Sequence, residues 1–176
     1  ALAGAEVELI EMPNREQRLK DALAPVADRY DYILIDCPPS LSLLTINGLI
    51  AGRNGVLIPV QCEYLALEGL GQLTQTLTRV RSSLFPNLQV RGVILTMYDG
   101  RTRLALDVVG EVRKYFPEKV FQTIIPRSIR LAEAPSYGQP ISLYAPDSTA
   151  ARSYAALARE VLEQDGIHIP AFSEEG

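Results

Sequence analysis

From residue 30 to residue 164, short apolar runs alternate with longer amphipathic stretches, and this alternation leaves few folds open. The runs at 30–36, 55–60, 90–96 and 120–125 are largely apolar and contain β-branched residues, the pattern of strands buried on both faces. Between them the apolar residues recur at helical spacing. Segment 64–84 reads as a long helix ended by Phe85, Pro86 and Asn87. Segment 102–116 reads as a helix with Leu106, Val109, Val112 and Phe116 on its apolar side. An earlier helix is expected over 15–29, capped by Asn14, with Leu19, Leu23 and Val26 on one face. Short helices are expected over 40–50 and 128–134, then a loop over 135–146. A terminal helix over 147–164 would be capped by Asp147 or Ser148. Strands alternating with helices predict an α/β fold, a mostly parallel sheet covered by helices on both faces. With no repeat, low-complexity tract or linker, residues 1–164 read as one domain and 165–176 as an acidic, flexible tail.

Composition removes several function classes. No apolar run approaches the roughly 20 residues that cross a bilayer. Residues 1–10 carry two glutamates and no basic region, unlike a signal peptide. Cys37 and Cys62 lack C-x-x-C spacing and read as small residues at strand ends in a reducing cytosol. With His168 as the single histidine, no Cys/His metal site is expected. The net charge is −4 but unevenly spread. Residues 79–130 hold ten basic and four acidic side chains, so that segment is +6 and the remainder −10. Such a split keeps nucleic acid open as a partner.

In parallel sheets, ligands sit beyond the carboxyl ends of the strands. The residues that follow the expected strands are Asp36 to Ser40, Gln61 to Glu63, Met97 to Gly100, and Pro126 to Ser128. The run Y-D-Y-I-L-I-D at 30–36 has the form of a Walker B strand, an apolar run delivering a carboxylate to Mg²⁺ beside a triphosphate. By itself this pattern also fits an aspartate that merely forms a turn.

The longer string D-C-P-P-S-L-x-L-L-T-I-N-x-L, from Asp36 to Leu49, resembles the ParA/Soj family of partitioning ATPases. So do the segments at 2–9, P-V-Q-C-E-Y-L-A-L-E-G at 59–69, L-T-M-Y-D-G-R-T at 95–102, and I-P-R-S-I-R-L-A-E-A-P-S at 125–136. The resemblance implies a P-loop NTPase-like fold of the deviant Walker A class. It implies ATP and Mg²⁺ as cofactors, an ATP-driven homodimer, DNA binding without sequence preference, and a ParB-type partner that stimulates hydrolysis. It also implies a cytoplasmic, nucleoid-associated protein without a membrane anchor. Asp36 would be the Walker B acid and hold Mg²⁺ through water. Met97, Pro126 and Arg127 would lie in loops flanking adenine, with Pro126 as an apolar plate or simply a strand terminator. Arg101 and Arg130 match the family's DNA-contacting positions, and Arg103, Lys114, Lys119 and Arg127 could extend that patch. The competing reading of these arginines is a solvated helix face with local ion pairs.

The family's phosphate loop, K-G-G-x-x-K-T, has no counterpart here: none of Lys20, Lys114 and Lys119 follows a glycine or precedes Ser or Thr. The D-P-Q switch is also missing. The chain therefore reads as the C-terminal two-thirds of such an ATPase, N-terminally truncated and inactive alone, with a non-catalytic interaction module as the alternative. A MinD-like membrane ATPase would need a basic amphipathic C-terminus, whereas this one is acidic and contains Pro170. An iron–sulfur reductase would need bridging cysteines, and two at strand ends offer little.

Overall fold

The computed structural model describes residues 2–38, 42–52, 55–63, 65–83 and 85–168. The elements are α1 (Leu2–Ile10), α2 (Arg18–Leu23), α3 (Leu43–Ala51), β1 (Val56–Gln61), α4 (Leu65–Ser83), β2 (Val90–Tyr98), α5 (Arg103–Tyr115), β3 (Val120–Pro126), α6 (Ile129–Glu133), α7 (Ile141–Tyr144) and α8 (Thr149–Gln164). The chain divides into two compact units, one of residues 1–56 and 70–91, the other of 57–69 and 92–176.

The strands form a sheet in the order β1-β2-β3. β2 and β3 run parallel. The Val56 N–H donates to Gln89 O and the Cys62 N–H to Thr96 O, so the partners of β1 and β2 climb together, as parallel strands require. Val93 and Leu95 are fully buried, while Ile94 points the other way, onto a core of Phe121, Ile125 and Leu157. Burial of both alternating sets explains why these strands read as unbroken apolar runs. α8 packs on β3 and supplies Leu157 and Val161 to that core. The Phe121 ring crosses β2 at Gly92, where any Cβ would overlap it.

β3 lies at an edge of the described sheet. Two of its backbone donors are taken by a side chain. The Glu160 carboxylate, from α8, accepts from the N–H groups of Gln122 (2.8 Å) and Thr123 (2.7 Å), and from the Thr123 hydroxyl. A helical side chain thus occupies donors that a further strand would use.

In the other unit, α3 is the organising element. Asn47 is buried, at 3% exposure. Its Nδ2 donates to Arg15 O (2.8 Å) and Leu43 O (2.9 Å), and its Oδ1 accepts from the Leu19 N–H (3.0 Å). Both amide N–H groups and the amide oxygen are engaged, and they fasten the 15–19 segment to α3.

Three expectations need correction. The helix expected over 15–29 shrinks to α2 and a 3₁₀ turn at Ala27–Arg29. Asn14 caps nothing; it takes a left-handed turn with φ 53°, and its carbonyl accepts from the Gln17 N–H. On α5 the buried side is Ala105, Val108 and Val112, whereas Leu106 is exposed. Thr102 caps this helix, its hydroxyl accepting from the Ala105 N–H. The run at 30–36 forms no strand: residues 31–38 have no regular secondary structure, and Tyr30 and Leu34 are exposed. An apolar run becomes a strand only when its backbone groups gain a ladder partner. Within the 135–146 loop, α7 adds one short helical turn, and α8 is capped by Ser148 rather than Asp147.

Candidate nucleotide and DNA site

The Asp36 segment is held by α3. Thr45 Oγ1 donates to Pro38 O at 3.4 Å. Gly48 faces Ile35 and Cys37, and a Cβ there would overlap the Cys37 sulfur. Ile35 and Cys37 are half-buried, while Leu34 and Asp36 are exposed, the two-residue period of an extended chain. Asp36 is therefore presented to solvent from a segment fixed on both sides of it. Burial, with the neighbouring Asp36 charge, pushes the Cys37 thiol up; burial alone does so for Cys62. Both are free thiols in their neutral form, which fits packing rather than nucleophilic chemistry. Residues 39–41, part of the D-C-P-P-S-L string, lie outside the described residues.

The other predicted residues lie in the second unit, at the carboxyl ends of β2 and β3. Met97 is a non-glycine residue at φ 54°, with 37% of its surface exposed. Between Leu95 and Tyr98 the register slips, Leu95 facing Ile124 and Tyr98 facing Pro126. β2 thus carries a bulge at its end, which re-aims the residues that follow. The Arg127 N–H donates to Tyr98 O at 2.9 Å, so the loops after β2 and β3 are joined although Pro126 offers no N–H. Tyr98, the residue after Met97, is thereby paired with both Pro126 and Arg127.

Three ion pairs that the sequence reading missed decorate this edge. Arg127 pairs with Glu63, which follows β1. Arg101 bonds Asp99 through Nε (2.8 Å) and Nη2 (2.6 Å). Its backbone N–H bonds the same carboxylate at 3.1 Å. The side-chain and backbone donors of Arg101 hold the Asp99 carboxyl well below the usual carboxylate range, and the Arg127 charge adds a smaller pull. Arg130 pairs with Glu133 at 3.1 Å, and the Tyr144 hydroxyl donates to the same carboxylate at 3.0 Å. Tyr144 in turn stacks on Tyr137. The side chains of Arg101 and Arg130 remain 88% and 62% exposed. Acids two or three residues away were the available signal, since i,i+3 partners meet on a helix and i,i+2 partners in a turn.

Among the described residues no cluster of three or more His, Cys, Asp or Glu could hold a metal. One exposed carboxylate, Asp36, fits Mg²⁺ that keeps waters and leans on phosphates, but not a cage made by protein alone. The chain's own sequence supplies no glycine–lysine loop for those phosphates. Among the described residues no helix is long and apolar enough to cross a membrane.

A family model described as an AAA domain matches residues 1–90. Chromosome partitioning protein ParA of Myxococcus xanthus is 56% identical over 164 residues, a match covering 93% of this chain and 58% of that protein. Sporulation initiation inhibitor protein Soj of Bacillus subtilis is 58% identical over 160 residues, covering 91% of this chain and 63% of that one. Among solved structures, cobyrinic acid a,c-diamide synthase from Mycobacterium smegmatis, with bound ADP and magnesium, aligns with a TM-score of 0.72 and 36% identity. That alignment covers 98% of this chain and 63% of the synthase. An ATP complex of Cyanothece McdA aligns over 97% of this chain with a TM-score of 0.76 and 21% identity, a likeness of fold alone. The chain spans less than two thirds of the length of each of these proteins. The match to the family model over residues 1–90 means that the chain belongs to the AAA domain family, and over most of its length it is similar to the ParA and Soj proteins.

Proposed function

We propose that this chain is the C-terminal portion of a chromosome- or plasmid-partitioning ATPase. With a phosphate loop ahead of it, the protein would dimerise on ATP and bind DNA backbone without reading sequence. A ParB-type partner would stimulate hydrolysis and release it. Asp36 is the Walker B acid of this reading, Met97, Pro126 and Arg127 flank the base, and Arg101 and Arg130 contact phosphates. The names of the ParA and Soj relatives support the partitioning role, and the ADP- and magnesium-bound synthase supports the cofactors. The observation that carries most weight is a pair of exposed arginines, Arg101 in the turn that follows β2 and Arg130 in the short helix that follows β3, in a chain of net negative charge.

The test is a salt titration of DNA binding by the full-length protein with ATP and Mg²⁺. Arg101→Ala and Arg130→Ala should each weaken binding to all sequences alike. Each should lower the slope of log K against log salt by roughly one, the signature of a lost phosphate contact. DNA-free hydrolysis should be nearly unchanged. An unchanged slope and affinity in both variants would return these arginines to a solvated surface.

A non-catalytic interaction module is the second reading. The chain on its own is expected to give no binding heat with ATP and Mg²⁺ in calorimetry, because backbone N–H groups of that loop supply most phosphate bonds. Micromolar binding would mean that a phosphate site exists elsewhere in these residues.

A further inference from the structure

We infer that Asp99 is a resident competitor for the phosphate-binding edge of Arg101, and so sets how tightly that arginine grips DNA. The inference rests on the DNA reading of Arg101 and adds a residue to it.

A guanidinium grips a phosphate with two parallel N–H groups, the same fork that grips a carboxylate. In this structure the fork is taken. Nε and Nη2 of Arg101 engage both oxygens of Asp99, and the third contact, from the Arg101 backbone N–H, keeps the carboxylate in place. The two partners are unequally placed. The Arg101 side chain is 88% exposed and that of Asp99 only 24%. The cation thus faces any approaching backbone, while the anion sits behind it. A phosphate that is to use this edge, Nε with Nη2, must displace Asp99 from it, while the Nη1–Nη2 edge stays open to a second contact.

Asp99 does not lose all compensation when this happens. Arg127 is its second cation, and Arg127 is itself paired with Glu63 at the end of β1. Release of Arg101 is therefore an exchange within a row of four charges, Glu63, Arg127, Asp99 and Arg101, across the carboxyl ends of the strands. The competitor is weak, because exposed ion pairs contribute little in water. It attenuates binding without abolishing it, which suits a protein that must let go of DNA.

The experiment uses the full-length protein with ATP, Mg²⁺ and a random-sequence duplex. Asp99→Asn keeps an oxygen for the Arg101 backbone N–H but removes the charged fork partner. It should tighten binding by about two- to five-fold, the scale of one exposed ion pair. In an Arg101→Ala background the same change should have almost no effect. Unchanged or weaker binding by Asp99→Asn would overturn the inference. So would an equal gain in the Arg101→Ala background, which would reduce Asp99 to a general repulsive charge. If Arg101→Ala binds DNA as wild type does, the DNA reading of Arg101 itself is what fails.

Discussion

Asn47→Ala should lower stability by about 2–4 kcal/mol, because it strands two carbonyls and an N–H in a buried place. The side chain is 3% exposed and holds Arg15 O, Leu43 O and the Leu19 N–H within 2.8–3.0 Å. Two of these partners lie 28 and 32 residues away, so nothing local can replace them. At this chain length such a loss corresponds to a fall in melting temperature of roughly 5–15 °C. Urea titration and thermal melts measure it, and hydrogen exchange at the Leu19 amide localises it. Asn47→Asp should be no better, since a carboxylate cannot donate to the two carbonyls. A loss below about 0.5 kcal/mol would mean that the 15–19 segment is held by other contacts.

Asp36→Ala should separate activity from stability. Asp36 is exposed and its neighbours Ile35 and Cys37 make the packing contacts with α3. Its removal should change stability by no more than about 0.5 kcal/mol, as at an ordinary surface position. In the full-length protein, loss of the carboxylate should reduce Mg²⁺-dependent hydrolysis by at least about 100-fold, on the scale of losing one preorganised electrostatic contact in a transition state. ATPase assays and melts on one preparation give both numbers. Hydrolysis at the wild-type rate would remove Asp36 from the metal site. Gly48→Ala supplies a comparison, since its Cβ would overlap the Cys37 sulfur and displace the segment without touching the carboxylate.

The strands at 55–60, 90–96 and 120–125 were legible because burial on both faces leaves an unbroken apolar run, and β1, β2 and β3 follow. The run at 30–36 has the same composition without becoming a strand. Composition records an appetite for burial; a ladder partner is a property of the rest of the molecule. On α5 the helical period was right and three of the four residues placed on its apolar side, Val109, Val112 and Phe116, are buried or half-buried; Leu106 is the exception. Ala105 and Val108 are small enough to lie fully buried, while Leu106 projects outward. Small residues carry a weak hydrophobic signal, so the larger Leu106 was read into the face while Ala105 and Val108 were passed over. Three of the four predicted loops fall at the carboxyl ends of β1, β2 and β3, while the one that begins at Asp36 follows no strand among the described residues. Their wiring was not legible: the register slip at Met97, the bond from Arg127 to Tyr98, and the pairing of Glu63 with Arg127 all depend on which strands lie side by side.

The closure of β3 by Glu160 has a consequence for the birth of the chain. The donors at Gln122 and Thr123 are made well before the carboxylate that occupies them, which comes 37 residues after Thr123. At synthesis rates of about 5–20 residues per second, that interval lasts roughly 2–7 s. During it the nascent sheet carries an open, hydrogen-bonding margin, able to pair with any extended segment within reach. The last helix is thus a timed cover. A chain cut off before Glu160 would keep a sheet that can still recruit neighbours.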